Sequence, residues 1–195
     1  MIREAGLADP LRVAVLVSGR GSNLAALIDR MEPAVRIVAV ASNRADALAL
    51  DRAEEEGIET AVFPRGDDPA ARDWALYRWL AERDVELVVL AGFMELLTEQ
   101  LVGRLPVINV HPSLLPAFPG LRAWEQALAA GVETTGVTVH FVDAGLDTGP
   151  VIAQREVPVL ADDTPEALHG RIQMVEHELL PDVVARFAAD LVAAP

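Results

Sequence analysis

Residues 11–23 read Leu-Arg-Val-Ala-Val-Leu-Val-Ser-Gly-Arg-Gly-Ser-Asn, a change of pattern within thirteen positions. Leu11–Val17 is a near-continuous apolar run, typical of a strand covered on both faces. It breaks at Ser18 into a turn rich in glycine and serine. Leu24, Leu27, Ile28 and Met31 then repeat at helical spacing. Strand, turn and helix in that order are the opening unit of a wound α/β sheet.

The alternation continues along the chain. Ile37–Val40 reads as a second strand, followed by a helix from about Ala45 to Glu56 with Gly57 as its C-cap. Thr60–Phe63 is a third strand, and Asp68-Pro69 opens a helix running to about Arg83, with proline at its first position. Leu87–Leu90 is the fourth strand, Leu96–Gly103 a short helix and Val107–Val110 the fifth strand. A helix over roughly Arg122–Ala130, strands at Gly136–Val142 and Val151–Val157, and a long amphipathic helix from about Thr164 complete the order. Strict alternation implies parallel strands with right-handed crossovers. The last two strands have a short connection, so they are expected to be antiparallel at one edge. The expected architecture is a three-layer α/β domain over residues 1–195. Its sheet is mostly parallel and Rossmann-like, with about seven strands, antiparallel C-terminal strands and a long C-terminal helix. Residues 1–10 are expected to be a disordered or extended tail.

Ligands of open α/β sheets sit beyond the carboxyl ends of the strands. There this chain carries Asn109-Val-His-Pro-Ser-Leu-Leu-Pro-Ala-Phe-Pro-Gly120. Asn109 and His111 are alternate residues, which an extended chain points to one side, and three prolines hold the next segment out of regular structure. Loops this long in a compact domain are usually functional. A turn-stabilising amide and a satisfied core histidine are the ordinary structural alternatives.

Composition narrows the classes. The chain has 195 residues, 52% of them apolar and none cysteine, so disulfides, zinc–thiolate sites and thiol nucleophiles are excluded. No apolar run approaches the roughly 18 residues of a membrane span. The first ten residues do not look like a signal peptide, and a cytoplasmic enzyme is expected. Net charge is −14 and all sixteen basic residues are arginine. That excludes Schiff-base lysine chemistry and argues against a nucleic-acid partner, but not against a small anionic substrate inside a cleft.

Three more groups of residues could carry chemistry. Helix N-termini bind phosphate without lysine, and in Ser18–Leu24 the glycines allow close approach while Ser22 can cap the helix. A dinucleotide loop would need glycine at Leu24, so a monophosphate is the better fit; a plain glycine-rich turn is the alternative. In Val139–Pro150, Asp143 and Asp147 are both placed to orient a histidine, relay a proton or merely accept turn hydrogen bonds. The local sequence does not separate them. His140 reads as a strand histidine with a structural partner. On the C-terminal helix Gln173, Glu176 and His177 can share a face, lining a cleft or meeting solvent. His169, one turn earlier, reads as surface.

Taken together, Ser18–Leu24, Leu90–Leu97, Asn109–Gly120, Gly136–Val142 and Leu146–Gln154 resemble, in order and spacing from Arg12 onward, the folate-dependent phosphoribosylglycinamide formyltransferases of purine synthesis. The resemblance implies formyl transfer from 10-formyltetrahydrofolate, as cosubstrate and without a metal, to the amine of 5-phosphoribosylglycinamide. It implies a catalytic trio of Asn109, His111 and Asp147. Gly21, Ser22 and Asn23 would lie on the phosphate, and Gln173 and Glu176 near the ribose and glycinamide. The pterin would be gripped by Glu95, Leu96 and Leu97 and by the loop Val142, Asp143, Ala144, Gly145, Leu146 and Asp147. Met94 and Leu96 would form its apolar wall, and Arg72 would meet the folate tail. The chain departs from the family at Glu95, where a basic residue is frequent, at Arg122 and Trp124, where histidines are common, and at Ala117, where some members have lysine. The implied partners are small molecules, with no membrane and no nucleic acid, and the protein a monomer or homodimer. The alternatives are another formyl-folate transferase or hydrolase, or a catalytically silent folate-binding module. A transfer-RNA formyltransferase would want a basic surface and a further C-terminal domain, and a deformylase a further N-terminal one.

Overall fold

Successive residues of the strands feed two different apolar cores, as expected of a sheet covered on both faces. The computed structural model describes residues 9–189; residues 1–8 of the expected tail at 1–10 lie outside them. From β1 (Leu11–Val17), Val13, Val15 and Val17 enter one core, while Ala14 and Leu16 enter the other. The first core is covered by α1 (Ser22–Arg30), α2 (Leu48–Glu55), α5 (Ala123–Ala130) and α6 (Pro165–Ala188). The second lies under α3 (Pro69–Ala81) and α4 (Glu99–Val102). Leu27, Leu168, Ile172 and Leu180 are fully buried in the first core, each contributing about 1.5–3 kcal/mol through burial.

The remaining strands are β2 (Val35–Ser42), β3 (Glu59–Val62), β4 (Leu87–Leu90), β5 (Val107–His111), β6 (Thr134–Phe141) and β7 (Val151–Pro158). Among the described residues they form one seven-stranded sheet of order β3-β2-β1-β4-β5-β6-β7. β1 to β5 pair in parallel, and β6 runs antiparallel to both β5 and β7. The chain winds one way from β1 and the other way from β4, so a crevice opens beyond the carboxyl ends of these two strands.

Two helices begin later than the sequence pattern suggests. The segment before α2 is held by side chains: Ser42 Oγ accepts from the Arg44 amide at 3.0 Å, and Arg44 pairs with Asp46 at 2.7 Å. Such local bonds compete with helix formation. Ahead of α4, Thr98 caps the helix, its own N–H donates to the buried Asp73 at 2.6 Å, and the Leu96 carbonyl accepts from Arg72 at 2.9 Å. Residues 93–97 are thereby kept out of the helix, facing the crevice. At α6, Thr164 caps and Pro165 takes the first turn as expected.

Candidate active site

β5 supplies the floor of the crevice. Ile108 and Val110 point into the first core, which sends Asn109 and His111 to the opposite face. β6 brings His140 directly across from Asn109 in the antiparallel register. The loop after β5 is folded back and fastened. Thr138 Oγ1 donates to the Ser113 carbonyl at 2.7 Å and accepts from the Leu115 amide at 3.0 Å and from Gln154 at 2.8 Å. Gln154 also donates to the Leu115 carbonyl at 2.9 Å. This network holds the Phe118 carbonyl against His111 Nε2 at 2.9 Å.

Carbonyl oxygens only accept, so the partners fix both histidine rings. His111 carries its hydrogen on Nε2 and turns Nδ1 to Asp147 Oδ2, 3.4 Å away. His140 gives its Nδ1 hydrogen to the Phe141 carbonyl at 2.8 Å, leaving Nε2 to accept from Asn109 Nδ2 at 3.2 Å. Burial holds the His140 pKa below its usual value, against the opposing pull of the Phe141 carbonyl and Asp147. Neutral His140 thus orients the Asn109 amide, leaving its second N–H free.

The two aspartates have different surroundings. Asp147 Oδ2 accepts from the Gly120 amide at 2.7 Å, and Oδ1 lies 3.7 Å from His140 Nε2. Its backbone is left-handed, at φ 54°, a conformation that concentrates at functional sites. Asp143 serves its own turn, accepting from the Gly145 amide at 3.0 Å and Thr148 Oγ1 at 2.8 Å.

A cleft of about 670 Å³ contains these groups, within the usual range for small-molecule sites. One end is the N-terminus of α1. Gly21, at φ 75°, is its N-cap, and no side chain caps the helix. Ser22 is therefore the first helical residue, not the cap expected from the sequence. A Cβ on Gly21 would lie 2.6 Å from Ala49 Cβ, so only glycine brings the chain this close to α2. Gly21, Ser22, Asn23, Gln173 and Glu176 all line this end. Glu176 is buried and accepts from Asn23 Nδ2 at 3.0 Å, and burial pushes its pKa up to about 7. Asn23 Oδ1 is buried without a partner.

At the other end Met94, Leu96 and Leu146 line the cleft with their side chains more than half exposed, an apolar surface suited to a flat ring. Glu95, Leu97, Val142, Asp143 and Gly145 also line it, whereas Ala144 does not. Arg72 lies outside the lining too. It is buried, with Nε 2.8 Å from Asp73 and Nη1 3.5 Å from Glu95. Glu95 also accepts from Asn43 at 3.2 Å, so the acidic residue at this family departure faces the chain's own cation and amide.

Two histidines stand in the cleft lining without a local sequence signal that places them there. His140 has the structural partners expected, yet stands within the Asn109–Asp147 group; only the β5–β6 register joins them, and no local signal reveals it. His169, expected at the surface, is partly buried in the cleft lining and stacks on Trp124, ring centroids 4.0 Å apart. Among the described residues no group of His, Cys, Asp or Glu could hold a metal ion, and no helix is long and apolar enough to cross a membrane.

Comparisons with known proteins agree with this geometry. The family model described as formyl transferase matches residues 11–184. Phosphoribosylglycinamide formyltransferase of Escherichia coli (strain K12) is 43% identical over 189 residues, covering 91% of this chain and 87% of that one. The trifunctional purine biosynthetic protein adenosine-3 of Drosophila pseudoobscura pseudoobscura is 47% identical over 91% of this chain, which spans 14% of its length. The crystal structure of glycinamide ribonucleotide transformylase 1 from Symbiobacterium toebii superposes with a TM-score of 0.93 at 40% identity, covering 100% of this chain and 95% of that one.

Proposed function

Because the chain belongs to the formyl transferase family, we propose that it is an enzyme transferring a formyl group from 10-formyltetrahydrofolate to the amine of 5-phosphoribosylglycinamide, a step of purine synthesis. The observation that carries the reading is the convergence of Asn109, His111 and Asp147 on the floor of one cleft. Its uncapped α1 N-terminus suits a phosphate, and its apolar end suits a folded-in pterin ring.

The neutral amine needs no protein nucleophile. Its lone pair attacks the formyl carbon, a C–N bond forms, and the carbonyl electrons move onto oxygen. Donors already aimed at that oxyanion supply about 3–4 kcal/mol each. Asn109 offers the amide N–H that His140 leaves free. His111, with its Nε2 hydrogen engaged by Phe118, donates from Nδ1 as the imidazolium, with Asp147 alongside. The amine then loses a proton, relayed through water by Asp147. The folate nitrogen gains one as its bond to the formyl carbon breaks, so protons balance. Backbone N–H groups of Gly21–Asn23 hold the phosphate, and Gln173 and Glu176 face the ribose and glycinamide. The backbones of Glu95–Leu97 and of residues 142–147 hold the pterin. Arg72, engaged by Asp73 and Glu95, reaches a folate tail only if those pairs open.

Incubating the purified chain with both substrates tests the reading, with mass spectrometry following formylated product and parallel assays for transfer-RNA formylation and formyl-folate hydrolysis. Formylated glycinamide ribonucleotide as the dominant product is expected. Its absence, with hydrolysis or another acceptor predominating, refutes the proposal.

A further inference from the structure

Two cations line the cleft, Arg20 and Arg122. Arg122 lies 3.4 Å from Glu125. Arg20 sits in the turn between β1 and α1, one residue before the helix cap, and among the described residues it has no ion pair. It acts electrostatically on another cleft group, the His169 ring. His169, Gln173 and Glu176 follow one another at spacings of four and three on α6, one face of that helix. The His169 ring lies nearly parallel to Trp124, at 12°, the tryptophan standing where the resemblance anticipates a histidine. The stack restricts the ring to one plane in the cleft wall.

A phosphate monoester carries close to two negative charges at neutral pH, whereas a helix N-terminus supplies only about half a positive charge. The same cleft also holds the carboxylates of Glu95, Asp143 and Asp147, in a chain of net charge −14. The helix end alone leaves the dianion under-compensated, and Arg20 is the lining cation not engaged elsewhere. Guanidinium groups match phosphate oxygens two at a time.

We infer that Arg20, together with His169 held flat against Trp124, forms a side-chain jaw for the substrate phosphate beside the α1 N-terminus. This rests on the function proposed above and adds to its backbone phosphate site two side chains that recognise the dianion. The low His169 pKa, caused first by burial and then by Arg20, agrees with a guanidinium close to that ring. Trp124 is a positioning residue, acting through His169.

Steady-state kinetics of Arg20→Gln and His169→Phe test the inference, the phenylalanine retaining the stack. The substrates are 5-phosphoribosylglycinamide and its unphosphorylated riboside. Arg36→Gln, an exposed residue near the start of β2 and outside the cleft, controls for lost charge. Arg20→Gln is expected to raise KM for the phosphorylated substrate about tenfold, and His169→Phe about threefold. KM for formyl-folate should move less than twofold, and the riboside should discriminate poorly between variant and parent. Equal shifts for the two acceptors, a change below twofold with Arg20→Gln, or the same shift with Arg36→Gln overturns the jaw. A parent protein that does not formylate the phosphorylated acceptor instead overturns the proposed function, and the jaw with it.

Discussion

Glu176 is a buried carboxyl whose protonation state is coupled to folding. It is 6% exposed, with Asn23 as its hydrogen-bond donor. Burial raises its pKa from 4.5 to about 7, only partly offset by that bond. Because the folded protein holds this proton more tightly than the unfolded chain, its contribution favours folding below the unfolded pKa. It is lost as pH rises from 4.5 to about 7. A rise of about 2.5 pH units at 1.36 kcal/mol each gives about 3 kcal/mol between the two limits. Glu176→Gln keeps the shape and a carbonyl acceptor for Asn23 but cannot ionise. Urea unfolding of parent and variant at pH 5 and pH 8.5 measures the effect, and groups common to both proteins cancel in the difference. Part of the contribution is already lost at pH 5, so the variant should gain about 2.5 kcal/mol relative to the parent between these conditions. A stability gap that stays constant from pH 5 to pH 8.5 refutes the reasoning, because the carboxyl would then titrate alike in the folded and unfolded chain.

Other substitutions separate the roles of neighbouring residues. Asn109→Ala and His111→Ala should each lower kcat roughly 10²–10³-fold with the fold retained by circular dichroism; either variant keeping half the parent activity contradicts its role as an oxyanion donor. Asp147→Asn should remove most turnover with little change in substrate affinity, and Asp143→Asn should be mild, since Asp143 accepts the hydrogen bonds of its own turn. The reverse ranking in one transfer assay refutes the assignment. Gly21→Ala places a Cβ 2.6 Å from Ala49 at φ 75° and should cost about 1–3 kcal/mol, read as a lower urea midpoint together with weaker substrate binding. An unchanged midpoint shows that the contact relaxes freely.

Periodicity was enough for the elements and their order. An apolar run such as Leu11–Val17 is a strand buried on both faces because nothing else satisfies that pattern with a turn at Ser18, and alternation with helices then requires parallel pairing. Asn109 and His111 were legible as a pair because side-chain direction along a strand has a fixed period. The resemblance, not local chemistry, separated Asp147 from Asp143. Only the folded chain supplies a physical reason: Asp147 reaches Gly120 and the His111 ring across a long sequence separation, while Asp143 closes its own turn.

Helix starts were misplaced where side chains distant in sequence or held in turns captured backbone groups, as Asp73 and Arg72 do ahead of α4. His140 and His169 carry no local mark of the cleft. The first enters by cross-strand register with Asn109, the second because α6 crosses back over the sheet and lays its ring on Trp124. Arg72 shows the converse: the resemblance implies a contact with the folate tail, yet the side chain is buried beside Asp73 and Glu95. Sequence by itself determined which residues could do chemistry and on which element each sits, because those properties are local. Tertiary structure decided which of them meet, which are protonated and which are already paired, because distance, burial and competing partners exist only once the chain has closed on itself.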